Sequence, residues 1–320
     1  MTYTLTEDRT KKGSELRTVI MTAIQDMMET NENIVMLEAD LGGASKSTIV
    51  QESHPDRYIQ CGISEANMVG VAAGLSTVGF IPYLHTFAPF FTRRALDQIY
   101  LSGAYAHNTL NIYGSDPGFT VAANGGTHTS FGDAACMREI PDVVIVDPCD
   151  AVQMDWCVRQ FATMKGVHYF RGNRKAVRNV YEPGSTFELG KANVLRPGSD
   201  VLIVAMGQLV SEALDAAEQL DKEGISAEVV DMFTLKPFDA ECILRESAGK
   251  KAVVTFENHS IYGGLGSAAA EVMAQHNVGI PLKIHGVNDC FGQVGTADYL
   301  QKVFGLRAED LMNSVREVLK

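Results

Sequence analysis

Glu65 heads an apolar stretch, Ala66-Asn67-Met68-Val69-Gly70-Val71-Ala72-Ala73-Gly74-Leu75, and follows Gln60-Cys61-Gly62-Ile63-Ser64. Tyr58-Ile59-Gln60 reads as a strand end, and Gly62 permits a sharp turn. Ser64 can cap a helix along which Met68, Val71, Ala72 and Leu75 recur at helical spacing. A glutamate in a first helical turn gains from the helix dipole, which is the plain structural reading. Here its flanks are Gly, Ile, Ala, Met and Val, so the carboxylate faces a poorly solvated place. A carboxyl group in such surroundings can share a proton with a nitrogen base. Four further clusters could do chemistry. The stretch His85-Thr86-Phe87-Ala88-Pro89-Phe90-Phe91-Thr92-Arg93-Arg94 mixes rings and cations, and Asn124-Gly125-Gly126-Thr127-His128 is a loop ending in an imidazole. Arg17 lies on the polar side of a helical stripe, and Arg171 follows a strand at its carboxyl end, where α/β sites form. The plain alternatives are a solvated arginine, core aromatics and a satisfied histidine.

These residues must be positioned by alternating helices and strands. Leu16, Val19, Ile20, Ala23, Ile24 and Met27 predict a helix over Glu15 to Met28. Ile34-Val35-Met36-Leu37 predicts a buried strand ending in Glu38-Ala39-Asp40, where Asp40 could cap the next loop. A strand near Phe80 to Leu84 leads into an aromatic helix reaching Tyr100. Leu110 to Tyr113, Val143 to Val146 and Val167 to Phe170 complete the strands, with a helix from about Ala151 to Met164 between the last two. β-Branched runs separated by helices argue for a parallel sheet covered on both faces. Asn173 to Ser185, polar and carrying Pro183-Gly184, reads as a linker. Beyond it the strand–helix–strand rhythm repeats at Asp200 to Ala205, Leu209 to Lys222, Ala227 to Val230 and Ala252 to Phe256. The turn Tyr262-Gly263-Gly264-Leu265-Gly266-Ser267 fits close helix–sheet packing better than a phosphate loop, since no nucleotide fingerprint surrounds it.

The 320 residues suffice for two domains with real cores, and 46% apolar with 21% charged residues excludes a disordered chain. A net charge of −12, spread along the chain, disfavours nucleic acid and acidic membrane surfaces as partners. No apolar run is long enough for a membrane span, and Met1 to Asp8 shows no basic start followed by an apolar core. The six cysteines form no C-x-x-C pair and read as reduced thiols, so the expected compartment is the cytoplasm.

Gly62-Ile63-Ser64-Glu65 resembles the glutamate motif of transketolases and their thiamine diphosphate relatives. The segment His85 to Ile99 resembles the family's aromatic stretch, and Asn124 to His128 its Asp-Gly-x-Thr-His loop. The resemblance runs from about Arg17 to the last helix with motifs in matching order. It implies an α/β fold of two doubly wound domains: a pyrimidine-binding domain over 1–180 and a transketolase C-terminal domain over 181–320. It implies that Glu65 hydrogen-bonds N1′ of the cofactor's aminopyrimidine, favouring the tautomer that deprotonates the thiazolium, while the cofactor carries the carbanion chemistry. Phe87, Phe90 and Phe91 become candidate ring contacts, with Phe90 best aligned, and Asp40 an acidic residue near the cofactor. The resemblance also implies that His128 acts on a substrate hydroxyl or in proton transfer, and that Arg17 and Arg171 hold a substrate phosphate.

Two positions depart from the family pattern. Asp116 or Ser115 stands where a histidine of the family contacts the sugar phosphate; an aspartate there repels a phosphate, so either the loop is displaced or the substrate is an unusual anionic sugar. Asn124 replaces an aspartate and cannot carry charge. The diphosphate motif Gly-Asp-Gly does not occur in this sequence. The expectation is therefore the carboxy-terminal subunit of a split transketolase. It would need an amino-terminal subunit that holds the diphosphate and Mg2+, would associate with itself through the C-terminal domain, and would reach a heterotetramer. Alternatives are a 1-deoxyxylulose-5-phosphate synthase, normally one long chain, a 2-oxo acid dehydrogenase β subunit, whose histidine loop differs, and a non-catalytic regulatory half.

Overall fold

The computed structural model describes residues 1–320. The strands of the first half are β1 (Lys12–Glu15), β2 (Ile34–Glu38), β3 (Tyr58–Gln60), β4 (Ile81–Phe87), β5 (Leu110–Ser115), β6 (Val144–Val146), β7 (Val167–Gly172) and β8 (Ala176–Arg178). Those of the second half are β9 (Asn193–Arg196), β10 (Val201–Ala205), β11 (Ala227–Asp231), β12 (Thr234–Lys236), β13 (Ala252–Ser260) and β14 (Leu282–Val287). The first sheet has seven strands in the order β12-β6-β7-β5-β4-β2-β3, parallel except for β12. β2, β5 and β7 are buried along their whole length, as expected for strands covered by helices on both faces. The second sheet, β14-β13-β10-β11-β9, is parallel except for β9.

The two halves are more entangled than a linker suggests. β12 crosses from the second half to pair with β6, and β8, inside the stretch read as a linker, pairs with β1. Both apolar cores run through the two sheets, one joining Ile20 and Phe170 to Ile203 and Phe256, the other Leu37 and Tyr169 to Leu202 and Val253.

Local expectations need three adjustments. Ser64 precedes the helix Glu65–Thr77 but does not cap it, because its hydroxyl donates to the Cys61 carbonyl at 2.7 Å. That helix buries Met68, Val69, Ala72 and Ala73, while Gly70, Val71 and Gly74 face outward with no partner in this chain. The aromatic segment is broken: β4 extends to Phe87, a helix spans Ala88–Arg94, and Ile99–Tyr105 is a π-helix. The glycine-rich turn is closed by protein. Buried Glu257 accepts from the amides of Leu265 and Gly266 at 2.7 and 2.8 Å, and a Cβ on Gly264 would collide with its carboxylate. No helix is long and apolar enough to cross a membrane.

The candidate residues follow carboxyl ends of strands in the first sheet. Asp40 follows β2, Glu65 follows β3 through the Gly62 turn (φ +72°), Phe90 follows β4, Asp116 follows β5 and Arg174 follows β7. A parallel sheet gathers chemistry at this edge because every strand delivers its next loop there.

Candidate active site

Glu65 opens its helix with 5% of its surface exposed. Arg94 Nη1 donates to Glu65 Oε1 at 2.6 Å, and the same guanidinium carbon lies 3.9 Å from the centroid of Phe90. A flat N–H-bearing group therefore bonds the carboxylate and covers the ring at once. Phe90 meets His128 edge-on at 5.1 Å between centroids, Phe87 meets His128 at 5.4 Å, and the two phenylalanines are 5.8 Å apart. The Arg174 guanidinium lies 5.2 Å from the Phe87 ring centroid. It pairs with the Asp116 carboxylate, and Nη2 donates to Asn124 Oδ1 at 3.2 Å. The Arg174 backbone amide also donates to Asp116 Oδ1 at 2.9 Å. Glu65, Arg94, Phe90, His128, Arg174 and Asn124 thus form one continuous surface, backed by the buried Phe87 and Asp116.

The electrostatics differ along this surface. Burial, then the positive charges of Arg94 and Arg174, lower the pKa of His128, so its imidazole is neutral at neutral pH. Its Nδ1 shares a hydrogen bond with Thr127 Oγ1 at 2.9 Å, which leaves Nε2 for a ligand. Burial raises Asp116 to about 6, against the pull of Arg174. Asp116 also has a positive φ of 52°, a conformation that a short polar side chain tolerates.

Several expected residues lie elsewhere. Arg171 is fully buried and spends its donors on protein: Nε and Nη2 on Asp133 at 2.8 and 3.2 Å, Nη2 also on the Asn258 carbonyl at 3.0 Å, and Nη1 on Asp147 at 2.5 Å. It has no face toward a ligand, so the reading of Arg171 as a phosphate arginine is corrected. Arg171 is still inside β7, whereas Arg174, three residues on, has left the sheet. Phe91 is likewise fully buried in an apolar core and is corrected as a ring contact. Asp40 is exposed, with no partner for its carboxylate; its amide is held at 2.8 Å by Gln60 Oε1, which also receives the Gly62 amide. Arg17 donates to Glu15 at 3.0 Å and to the Ala44 carbonyl at 3.0 Å, outside the Glu65–His128 group. Asp116 points at Arg174, so its charge is partly neutralised and is not presented bare to a ligand.

Sequence reasoning also missed a buried chain behind the site. His85 Nδ1 lies 2.9 Å from both Glu38 oxygens, and its Nε2 lies 2.9 Å from Ser115 Oγ. Ser45 and Ser47 donate to Glu38 at 2.9 and 2.8 Å. Burial pushes the Glu38 carboxyl up, but the His85 charge and these hydrogen bonds prevail and hold it below the ordinary range. The only signal was a polar residue in each of two buried strands; their pairing, Glu38 opposite His85, is set by register.

The transketolase pyrimidine-binding domain model matches residues 12–180, and the transketolase C-terminal domain model matches residues 190–311. The chain belongs to the transketolase family. It is 44% identical to the 6-deoxy-6-sulfo-D-fructose transketolase subunit of Clostridium sp. (strain MSTE9), over 95% of this chain and 94% of that protein. It is 33% identical to an apulose-4-phosphate transketolase subunit of Phocaeicola vulgatus, over 92% of this chain and 94% of the other. A solved structure described as a split gene transketolase, inactive beta4 tetramer, superposes with a TM-score of 0.87 at 39% identity, covering 96% of this chain and 98% of its own. Within this transketolase-family chain, the residues that the structure gathers are Glu65, Phe87, Phe90, Asp116, Asn124 and His128, joined by Arg94 and Arg174.

Proposed function

We propose that this chain is the pyrimidine-binding subunit of a two-chain, thiamine diphosphate-dependent transketolase that moves a two-carbon ketol unit between anionic sugars. The observation that carries the reading is the Arg94 guanidinium, bonded to Glu65 and stacked on Phe90. A flat heterocycle with ring nitrogens can make the same pair of contacts, so the residues present fit an aminopyrimidine. Glu65 Oε2 makes no hydrogen bond within the chain and can hold a proton between itself and a ring nitrogen. When bound, thiamine diphosphate supplies the carbanion chemistry at its thiazolium carbon.

Phe90 gives the apolar ring face of the site, and the buried Phe87 packs edge-on behind it and keeps water from that side. His128, neutral with Nε2 free, can accept or donate a proton at a sugar hydroxyl. Arg174, half-buried at the edge and backed by Asn124, replaces Arg171 as the residue that receives the anionic end of the sugar. Asp40 is left as a peripheral acidic group and Arg17 as a brace between the first helix and the Ala44 turn. The diphosphate and its divalent cation belong on an amino-terminal partner subunit. The outward strip of Gly70, Val71 and Gly74 is exposed and suits such packing, and self-association is assigned to the C-terminal domain as part of the same proposal. A cytoplasmic setting fits the six unpaired cysteines. The relatives named above act, by their names, on a sulfonated and a phosphorylated sugar, and both are anionic.

The test is reconstitution. This chain is mixed with its amino-terminal partner, thiamine diphosphate and Mg2+, and ketol transfer from phosphorylated and sulfonated ketoses is assayed. Activity in the mixture and none in either chain alone is the expected result. Full activity of this chain alone, or inactivity of the mixture on every anionic ketose, contradicts the reading.

A further inference from the structure

Arg174 is the cation of the site's outer edge, yet it does not stand alone. Asp116, 1% exposed and fixed at the end of β5, pairs with its guanidinium and also receives its backbone amide at 2.9 Å. The other groups that reach this edge add little net charge. Asn124 is an amide, His128 is neutral, and Arg94 is balanced by Glu65. Farther back, outside the Glu65–His128 group, Glu15 is shared between Arg17 and Lys46, which leaves one positive charge away from this edge. An anion entering here therefore meets one cation that already carries one carboxylate.

We propose that Asp116 is a specificity-determining residue that tunes the Arg174 site to a singly charged sugar terminus, a sulfonate, in preference to a doubly charged phosphate. The proposal rests on the ketol-transfer reading and names the substrate class of that same site. Attraction to Arg174 and repulsion from Asp116 both scale with the ligand's charge. The Arg174–Asp116 pair carries no net charge, and Asn124 already takes one Nη2 hydrogen, so the pair offsets little of a ligand's desolvation cost, which rises steeply with the ligand's charge. A phosphate monoester approaches two negative charges, whereas a sulfonate stays at one. Both have three terminal oxygens, so shape alone separates them poorly. The backbone supports the arrangement: Ser115 is tied to His85, and the positive φ at Asp116 turns its carboxylate toward the loop after β7.

The experiment uses the reconstituted two-chain complex at pH 8, where Asp116, raised to about 6, is ionised and phosphate is dianionic. The donors are 6-deoxy-6-sulfo-D-fructose and D-fructose 6-phosphate, read as kcat/KM with KM and kcat separated. The wild type is expected to favour the sulfonate about tenfold or more, through KM. Asp116→Asn keeps an acceptor for the Arg174 amide and should shift the ratio at least tenfold toward phosphate. Asn124→Asp, on an exposed loop, adds a charge beside the same guanidinium and should move the ratio the other way. A wild type that favours phosphate, or a ratio that neither variant moves, overturns the proposal while leaving ketol transfer intact. If the wild-type complex cleaves neither donor nor any other anionic ketose, the functional reading itself falls, and this inference with it.

Discussion

Exchanging Arg171 and Arg174 separately for alanine distinguishes a buried brace from a ligand-facing cation. Arg171 makes hydrogen bonds to Asp133, Asp147 and the Asn258 carbonyl, with no exposed surface. Removing it leaves two buried carboxylates and a carbonyl without their cation. Breaking such a pair from one side costs about 3–5 kcal/mol, because the partner charges stay buried. At about 2–4 °C per kcal/mol for domains of roughly 150–250 residues, the melting temperature should fall roughly 6–20 °C, nearer the lower end for a longer chain. Asp133 joins Tyr169 to Arg171, and Asp147 lies against Gly207, so the loss should loosen the contact between the two domains. Arg174→Ala removes a half-buried group and leaves Asp116 able to take up a proton, at roughly 1–2 kcal/mol. Its main effect should be a KM raised tenfold or more for the anionic sugar, with kcat nearly unchanged. The assays are thermal and urea melting of the purified chain, then steady-state kinetics of the complex. Wild-type melting of Arg171→Ala together with a raised KM would refute the buried assignment and restore Arg171 to the ligand.

Three further outcomes follow from the geometry. Arg94→Ala removes the group lying between Glu65 and Phe90, and the Arg94 side chain is half exposed, so chain stability should change by about 1 kcal/mol or less. Calorimetric titration of the complex should then show thiamine diphosphate binding as tightly as in the wild type or up to about tenfold tighter. A tenfold loss would mean that Arg94 holds the cofactor and does not merely fill its place. Burial lifts the Asp231 carboxyl to about 6, against hydrogen bonds from Tyr181, Gln153 and Asn193. The folded value lies above the unfolded one, so its contribution is intact below pH ~4 and is lost as pH rises through about 6. Asp231→Asn should flatten that decline by about 2–3 kcal/mol in urea titrations between pH 4 and 7, and an unchanged profile contradicts it. The purified single chain should bind thiamine diphosphate weakly even with Mg2+; micromolar affinity measured calorimetrically would remove the need for a partner.

Strand and helix positions were legible because their signals are local. Ile34 to Leu37, Val201 to Ala205 and the helical stripe after Leu16 announce themselves by burial period alone. Glu65, Phe90 and His128 were legible as motifs with distinctive neighbours. Arg171 and Arg174 were not separable, because two arginines three residues apart satisfy the same pattern and only the point at which β7 ends decides between them. The Glu38–His85–Ser115 chain was invisible for a similar reason: its members lie on three strands, and nothing in the sequence specifies that β4 lies between β2 and β5. β12 crossing to the first sheet depends on tertiary pairing that a three-residue strand cannot signal. Phe91 failed because the Ala88–Arg94 helix turns it to the core while it presents Phe90.

The proposed function turns on a proton relay from Glu65 to the cofactor's pyrimidine. It is tested most directly by proton–deuterium exchange at C2 of thiamine diphosphate bound to the reconstituted complex, comparing wild type with Glu65→Gln. The amide fits the same space and keeps one acceptor, but it cannot hold the proton, so exchange should slow by about a hundredfold or more while folding and assembly persist. Exchange within a few-fold of wild type in an assembled Glu65→Gln complex would contradict the account.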